Sequence, residues 1–203
     1  VVAACRTAPG PGVPDGPAPA TGEAGGVVTR DTRADSGRRR HTAADTRFMQ
    51  HMIGHHAQAL EMTKLVPSRT SRQDLRLLAD RIDVSQRDEI ALMGQWLRQR
   101  GEEVPSMDAH QHASMGHAPL MPGMLTAAEL TRLANTTGAE FERLFLEYMM
   151  RHHEGAVTMV RSLFGTPGAV QETETYRFAT DVEADQRAEI NRMRALLATL
   201  NRD

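Results

Sequence analysis

FMQHMIGHHAQALEM, residues 48–62, is the stretch around which the rest of this 203-residue chain is arranged. A second stretch, FLEYMMRHHEGAVTM, follows 97 residues later at positions 145–159. The two share the pattern F-x3-M-x2-HH-x2-A-x2-M, in which a histidine pair lies between methionines at helical spacing. Two copies of so specific a pattern indicate an internal repeat.

The apolar residues of each stretch recur every three or four positions, the spacing of one face of an α-helix. The two faces consist of Phe48, Met52, His55, Ala59, Met62 and Val66, and of Phe145, Met149, His152, Ala156, Met159 and Leu163. His55 and His152 are therefore predicted to point into the protein. Because successive residues lie about 100° apart around a helix, we expect His56 and His153 at the rim of that face and His51 on its other flank.

A second pattern, Q-x2-E-I-x2-M, recurs at an offset of 100 residues, beginning at Gln86 and at Gln186. Each copy lies in a predicted helix that follows a copy of the histidine stretch after a short turn. The repeated unit is thus a helical hairpin, at residues 45–100 and 139–200, and neither hairpin can bury its apolar face alone. The sequence predicts an all-α fold, a four-helix bundle built from two duplicated hairpins.

Residues 102–125, between the hairpins, are predicted to be a linker, because glycine and proline interrupt any helix there. Seven of them are histidine or methionine: Met107, His110, His112, Met115, His117, Met121 and Met124. A flexible segment of this composition suits the collection of copper ions. The alternative is an ordinary linker whose methionines dock on the bundle. A capping box at Thr126 and Glu129 predicts a short helix before Gly138.

Residues 1–40 are rich in proline and glycine and are predicted to form a flexible tether ahead of a single domain at 41–203. The single cysteine, Cys5, excludes an internal disulfide. It follows Val2 and two alanines, which resembles a bacterial lipobox, so we expect a secreted protein or one anchored to the bacterial cell envelope by a lipid at Cys5. A formal net charge of −2 gives no indication of nucleic-acid binding. The oligomeric state is left open.

The histidine and methionine residues point to metal binding. Imidazole with thioether favours Cu(I), with Ag(I) close in chemistry, whereas imidazole with carboxylate suits zinc or Cu(II). The candidate ligands are His55, His56, His152, His153, Met52, Met62, Met149 and Met159 in the bundle, His51 at its rim, and His110, His112, His117 and Met115 in the linker.

A structural alternative uses the same residues. A buried imidazole without a hydrogen-bond partner costs about 1–3 kcal/mol. The facing helices offer partners in Gln86, Glu89, Gln186 and Glu189. On this interpretation the histidines form a hydrogen-bond network in a metal-free core, and the protein is a structural or interaction module.

An enzymatic function is not expected. A ferritin-like di-metal oxidase needs a glutamate three residues before a ligand histidine on two of its helices. None of the five histidines in the two stretches has one. A phosphotransfer bundle would need an exposed histidine with basic neighbours, and that function leaves the flanking methionines unexplained.

With both M-x2-HH-x2-A-x2-M motifs in view, the chain resembles the DUF305 family of bacterial secreted proteins and lipoproteins over about residues 45–200. The resemblance implies a ferritin-like four-helix fold. CopM-type members of the family are linked to copper and silver, which implies these ions for the present chain. The motif residues carried over are His55, His56, Met52, Met62 and Asp45 in the first half, and His152, His153, Met149 and Met159 in the second. Glu142 stands where the first half has Asp45.

Overall fold

The computed structural model describes residues 41–106 and 120–200, and the secondary structure of these residues is helical, without strands. The helices are α1 (Ala43–Thr63), α2 (Val66–Arg69), α3 (Gln73–Gln99), α4 (Ala127–Asn135), α5 (Gly138–Phe164) and α6 (Thr173–Leu200). The four long helices are the ones that the sequence predicts, and the all-α prediction is confirmed.

Several predictions concern residues outside this range. The tether with Cys5 and the linker residues Met107, His110, His112, Met115 and His117 are not among the described residues. Of the linker methionines that are described, Met124 is buried against the bundle and Met121 is half-buried. Within 41–106 and 120–200, no helix is both long and apolar enough to cross a membrane.

Two helices begin with a capping box. At α1 the Thr42 side chain accepts a hydrogen bond from the Asp45 amide, and the Asp45 carboxylate accepts one from the Thr42 amide at 2.7 Å. Asp45 is therefore the third residue of α1, whereas the sequence had predicted that the helix begins there. The predicted box of Thr126 and Glu129 is present at α4.

The four long helices pack as a square. Helix α1 contacts α3 within the first hairpin, α5 contacts α6 within the second, and α1 also packs against α5 as α3 does against α6. Each long helix therefore has two neighbours, which lie in roughly perpendicular directions from it. Each long helix therefore buries side chains toward both neighbours, over a wider part of its circumference than the single apolar face predicted from its sequence.

Two hydrophobic clusters fill the bundle. The first contains residues such as Met62, Leu75, Phe145 and Met193, and the second contains residues such as Met52, Trp96, Val160 and Val182. Between the clusters every long helix buries polar residues. These buried residues form what we call the histidine layer: His55, His56, Gln86, Glu89, His152, His153, Gln186 and Glu189.

Two buried carboxylates join the hairpins to each other. Asp45, near the start of α1, accepts a hydrogen bond at 2.8 Å from the amide of Val170, in the turn between α5 and α6. Glu142, near the start of α5, accepts one from the hydroxyl of Thr70, in the turn between α1 and α3. In each hairpin, a carboxylate on its own first helix thus binds the turn of the other hairpin.

Residues 120–125, which we call the strap, lie across the seam between α1 and α5. The Gln58 side chain fixes the strap by two hydrogen bonds to Leu125, donating to its carbonyl at 2.9 Å and accepting from its amide at 2.7 Å. On the α5 side the strap contacts Gly155, where a Cβ atom would lie 1.9 Å from the carbonyl oxygen of Pro122. Glycine is required at position 155 because the two backbones meet there.

Gly155→Ala is expected to displace the strap and to destabilise the protein by about 1–3 kcal/mol, the usual cost of overpacking. Urea denaturation measures the stability, and hydrogen exchange of the Leu125 amide reports whether the strap has left Gln58. Gly165→Ala is the matched control. Its Cβ would lie 3.4 Å from the nearest atom, the carbonyl oxygen of Arg161, so its effect should stay within about 0.5 kcal/mol. Equal stability of the two variants would show that the strap does not depend on Gly155.

Candidate metal centre

All four paired histidines are buried. His55, His56 and His153 have no exposed surface, and His152 is 1% exposed. The prediction that His56 and His153 stand at the rim is therefore wrong. The reason is the square packing: His55 and His152 face each other between α1 and α5, while His56 faces α3 and His153 faces α6.

The outer histidines pair with carboxylates. His56 Nε2 lies 2.5 Å from Glu89 Oε2, and His153 Nε2 lies 2.6 Å from Glu189 Oε2. Because an ionised carboxylate only accepts hydrogen bonds, Nε2 carries the hydrogen in both pairs. The glutamates that the sequence offered as structural partners thus bind the outer histidines, His56 and His153, and not the inner pair.

The inner histidines contact each other. The ring centroids of His55 and His152 are 3.8 Å apart, with 36° between the ring planes. His55 Nε2 donates to the carbonyl oxygen of Pro122, and His152 Nε2 donates to the carbonyl oxygen of His55, both at 3.0 Å. A carbonyl can only accept, so the Nδ1 atom of each neutral ring keeps its lone pair.

Burial keeps these two rings neutral. It lowers the pKa of His55 from 6.5 to about 3, helped by the neighbouring His56 and opposed by the hydrogen bond to Pro122. Burial, followed by the nearby His55 and His153, also lowers the pKa of His152 well below its ordinary value. A neutral imidazole is the form that binds a metal ion, so neither ring has to lose a proton first.

Several buried polar atoms of the histidine layer have no hydrogen-bond partner among the described residues. They are Nδ1 of His55, His56, His152 and His153 and both side-chain amide atoms of Gln86 and Gln186. Native proteins leave few such atoms unsatisfied, because each one costs about 1–3 kcal/mol. Four imidazole nitrogens of the layer are thus left without a hydrogen-bond partner from the described residues.

Methionines flank the layer. Met52 and Met149, each one turn before an inner histidine, are fully buried, as is Met62. Met52 belongs to the second hydrophobic cluster, whereas Met62 and Met149 belong to the first. Thioethers are therefore present on both sides of the imidazoles. Met159 departs from the prediction, since it is half-buried in a groove between the start of α1 and the end of α5.

The described residues contain no cluster of the kind that binds structural zinc. Across 41–106 and 120–200, no group of three or more His, Cys, Asp or Glu side chains is placed so that it could hold a metal ion. Structural zinc is bound by four ligands of those kinds.

His51 lies apart from the layer. It is exposed and lines the same groove as Met159. The linker residues His110, His112, His117 and Met115, also predicted to bind metal, lie outside the described residues. The structure thus brings together the four paired histidines and separates His51 and Met159 from them.

Two structural contributions were not predicted. Asp45 was interpreted as a helix start, yet its second oxygen holds Val170. Pro122 lies in the linker, yet its carbonyl binds His55. The one local signal was Gly155, a glycine within a helix at the position where the first stretch has Gln58.

Comparison with known proteins identifies a family and several structures that are similar to this chain. The sequence model of DUF305, a domain of unknown function, matches residues 45–197. A DUF305 fragment from Deinococcus radiodurans has 32% identity and a TM-score of 0.66, covering 78% of this chain and 98% of the fragment. A candidate secreted DUF305 protein from Streptomyces coelicolor has 32% identity and a TM-score of 0.67, covering 78% of this chain and 94% of its own.

CopM is a further similar structure. In its Cu(II)-bound form it has 27% identity and a TM-score of 0.61, covering 76% of this chain and 96% of CopM. The Cu(I)-bound and Ag-bound forms of CopM have TM-scores of 0.59 and 0.58. No curated protein matches.

Acidification is expected to destabilise the fold between pH 7 and 5. The unfolded chain protonates His55 near pH 6.5, whereas the folded chain does so only near pH 3. The unfolded state therefore binds more protons in this interval, and stability falls as the pH is lowered, by roughly 2 kcal/mol for each such imidazole at pH 5.

Urea denaturation at pH 7, 6 and 5 measures this dependence. His55→Gln should keep a donor for the Pro122 carbonyl, because its amide nitrogen reaches the position of His Nε2, and should show a shallower pH dependence than the wild type. If the two proteins lose the same stability over this interval, the inner imidazole is not the group responsible.

Proposed function

This chain belongs to the DUF305 family, and from that premise we propose that it is a non-enzymatic copper-binding protein of the cell envelope. It holds Cu(I), or Ag(I) in its place, at the histidine layer, for sequestration or transfer. The observation that carries the proposal is the pair of buried imidazoles, His55 and His152, in contact with each other and kept neutral by burial.

The donor atoms support a soft ion. The inner histidines would supply Nδ1, since their Nε2 atoms are bound to carbonyl oxygens. Met52 and Met149, one turn away along α1 and α5, would supply thioether sulfur. His56 and His153 are anchored by Glu89 and Glu189, and a carboxylate behind an imidazole is the usual partner that orients a ligand histidine and raises its basicity.

The relatives support the same class of ion. CopM has been crystallised with Cu(I), with Cu(II) and with Ag. Its likeness to this chain covers most of both proteins. The bundle compared is therefore the part that contains the histidine layer.

A location outside the cytoplasm fits these features. One similar structure is of a candidate secreted protein. The lipobox pattern at Cys5 would add a lipid anchor to the envelope. A protein there meets copper before the ion reaches the cytoplasm.

A structural bundle without metal is the second candidate. It is favoured by one observation, that every paired histidine already has an Nε2 partner within the protein. On that alternative, the histidine layer serves to fix the register of the two hairpins, and chelators have no effect on stability.

A competition titration with a chromophoric Cu(I) chelator tests the proposal. The wild type should withdraw Cu(I) from the chelator, and His55→Asn with His152→Asn should weaken its affinity by roughly tenfold or more, equivalent to about 1.4 kcal/mol. Metal-bound Nδ1 should also shift the imidazole ¹⁵N resonances of the inner pair and leave their Nε2–H signals in place.

His41→Asn is the matched control. His41 is half-buried and bonded to Glu102 at 3.0 Å, away from the layer, so its loss should not alter the affinity. Circular dichroism checks that each variant is folded. A double variant that binds Cu(I) as tightly as the wild type, or a wild type that leaves all Cu(I) on the chelator, would favour the structural bundle.

A further inference from the structure

A groove of about 370 Å³ lies beside the histidine layer and has no role in the function proposed above. Its walls are the first turns of α1, the last turns of α5 and Pro122 of the strap. Two of its lining side chains, His51 and Met159, carry soft donor atoms. The groove therefore presents imidazole and thioether at the surface, where the layer presents them in the core.

The remaining lining residues select against hard cations. No aspartate or glutamate is among the described residues that line the groove, and its one charged side chain is Arg47. Hard cations such as Ca²⁺ and Mg²⁺ require oxygen ligands, mainly carboxylates. Arg47 repels every cation, so only an ion that bonds well to nitrogen and sulfur would be retained.

The groove adjoins the inner histidines through one residue. Pro122 forms part of the groove wall, and its carbonyl oxygen is the acceptor for His55 Nε2. His51 precedes His55 by about one turn on α1, and Met159 follows His152 by two turns on α5. The groove and the layer thus lie along the same α1–α5 seam, and the strap separates them.

We propose that this groove is the receiving site for a soft monovalent cation, held by His51 and Met159 before it reaches His55 behind the strap. The inference rests on the proposed function, since it names the route to the histidine layer. Passage to His55 requires the strap to yield at Pro122, whose described contacts with α1 and α5 are a hydrogen bond and backbone packing. The ion exchanges ligands without any change in oxidation state.

The rate of Cu(I) transfer from a coloured chelator to the full chain tests the receiving site. His51→Asn with Met159→Leu should slow the transfer by roughly tenfold and leave the final affinity within about twofold of the wild type. His41→Asn with Met150→Leu is the matched control, because it also removes one imidazole and one half-buried thioether and should transfer at the wild-type rate.

Methionine-methyl NMR gives a second measurement. At substoichiometric Ag(I) the Met159 methyl resonance should shift, whereas Zn²⁺ at the same concentration should leave it unchanged. Transfer to the groove variant at the wild-type rate, or a Met159 resonance that ignores Ag(I), overturns the receiving site.

The two proposals fail in different ways. If His55→Asn with His152→Asn keeps full Cu(I) affinity, the layer is not the binding site and the proposed function falls. If that variant loses affinity while His51→Asn with Met159→Leu takes up Cu(I) at the wild-type rate, the receiving site is contradicted and the proposed function is not.

Discussion

Successive side chains of an α-helix point about 100° apart, and in this bundle that angle decides where the polar groups lie. Each long helix has two neighbours in roughly perpendicular directions, so a histidine pair faces both neighbours at once. One ring of each pair meets the opposite hairpin and the other meets a glutamate of the same hairpin. Two consecutive histidines on α1 and two on α5 are therefore enough to place an imidazole at each of the three contacts between long helices that involve α1 or α5.

The inner pair is not symmetric. His152 donates to the backbone of α1, which is part of a rigid helix, whereas His55 donates to the strap. The two histidine stretches differ where the strap crosses them: Gln58 supplies hydrogen bonds on one side and Gly155 supplies clearance on the other. One of the two inner rings is thus held by a short loop and the other by the backbone of a helix.

Much of this arrangement was predictable because it depends on local periodicity. Phe48, Met52 and His55 recur at helical spacing on the predicted apolar face of α1, and they are buried as expected. The predicted rim position of His56 is wrong because it was derived from one helix alone. In the square bundle α1 has a second neighbour, α3, which covers His56. The strap could not be predicted, since its contact with His55 joins positions 67 residues apart, and no spacing rule connects a linker proline to a helical histidine. The metal ligands themselves stay predictions, resting on donor chemistry and on relatives.

The carboxylates Asp45 and Glu142 have a consequence for how such a protein can be assembled. Each hairpin gives a carboxylate to the turn of the other and receives one in return, which is the reciprocity of an isologous interface between two identical subunits. The two hairpins of the chain are thus related to each other as the subunits of a two-fold dimer would be. A single hairpin that carries both a carboxylate and a turn of this kind contains both sides of the interface, so two separate copies of it could pair in the same way.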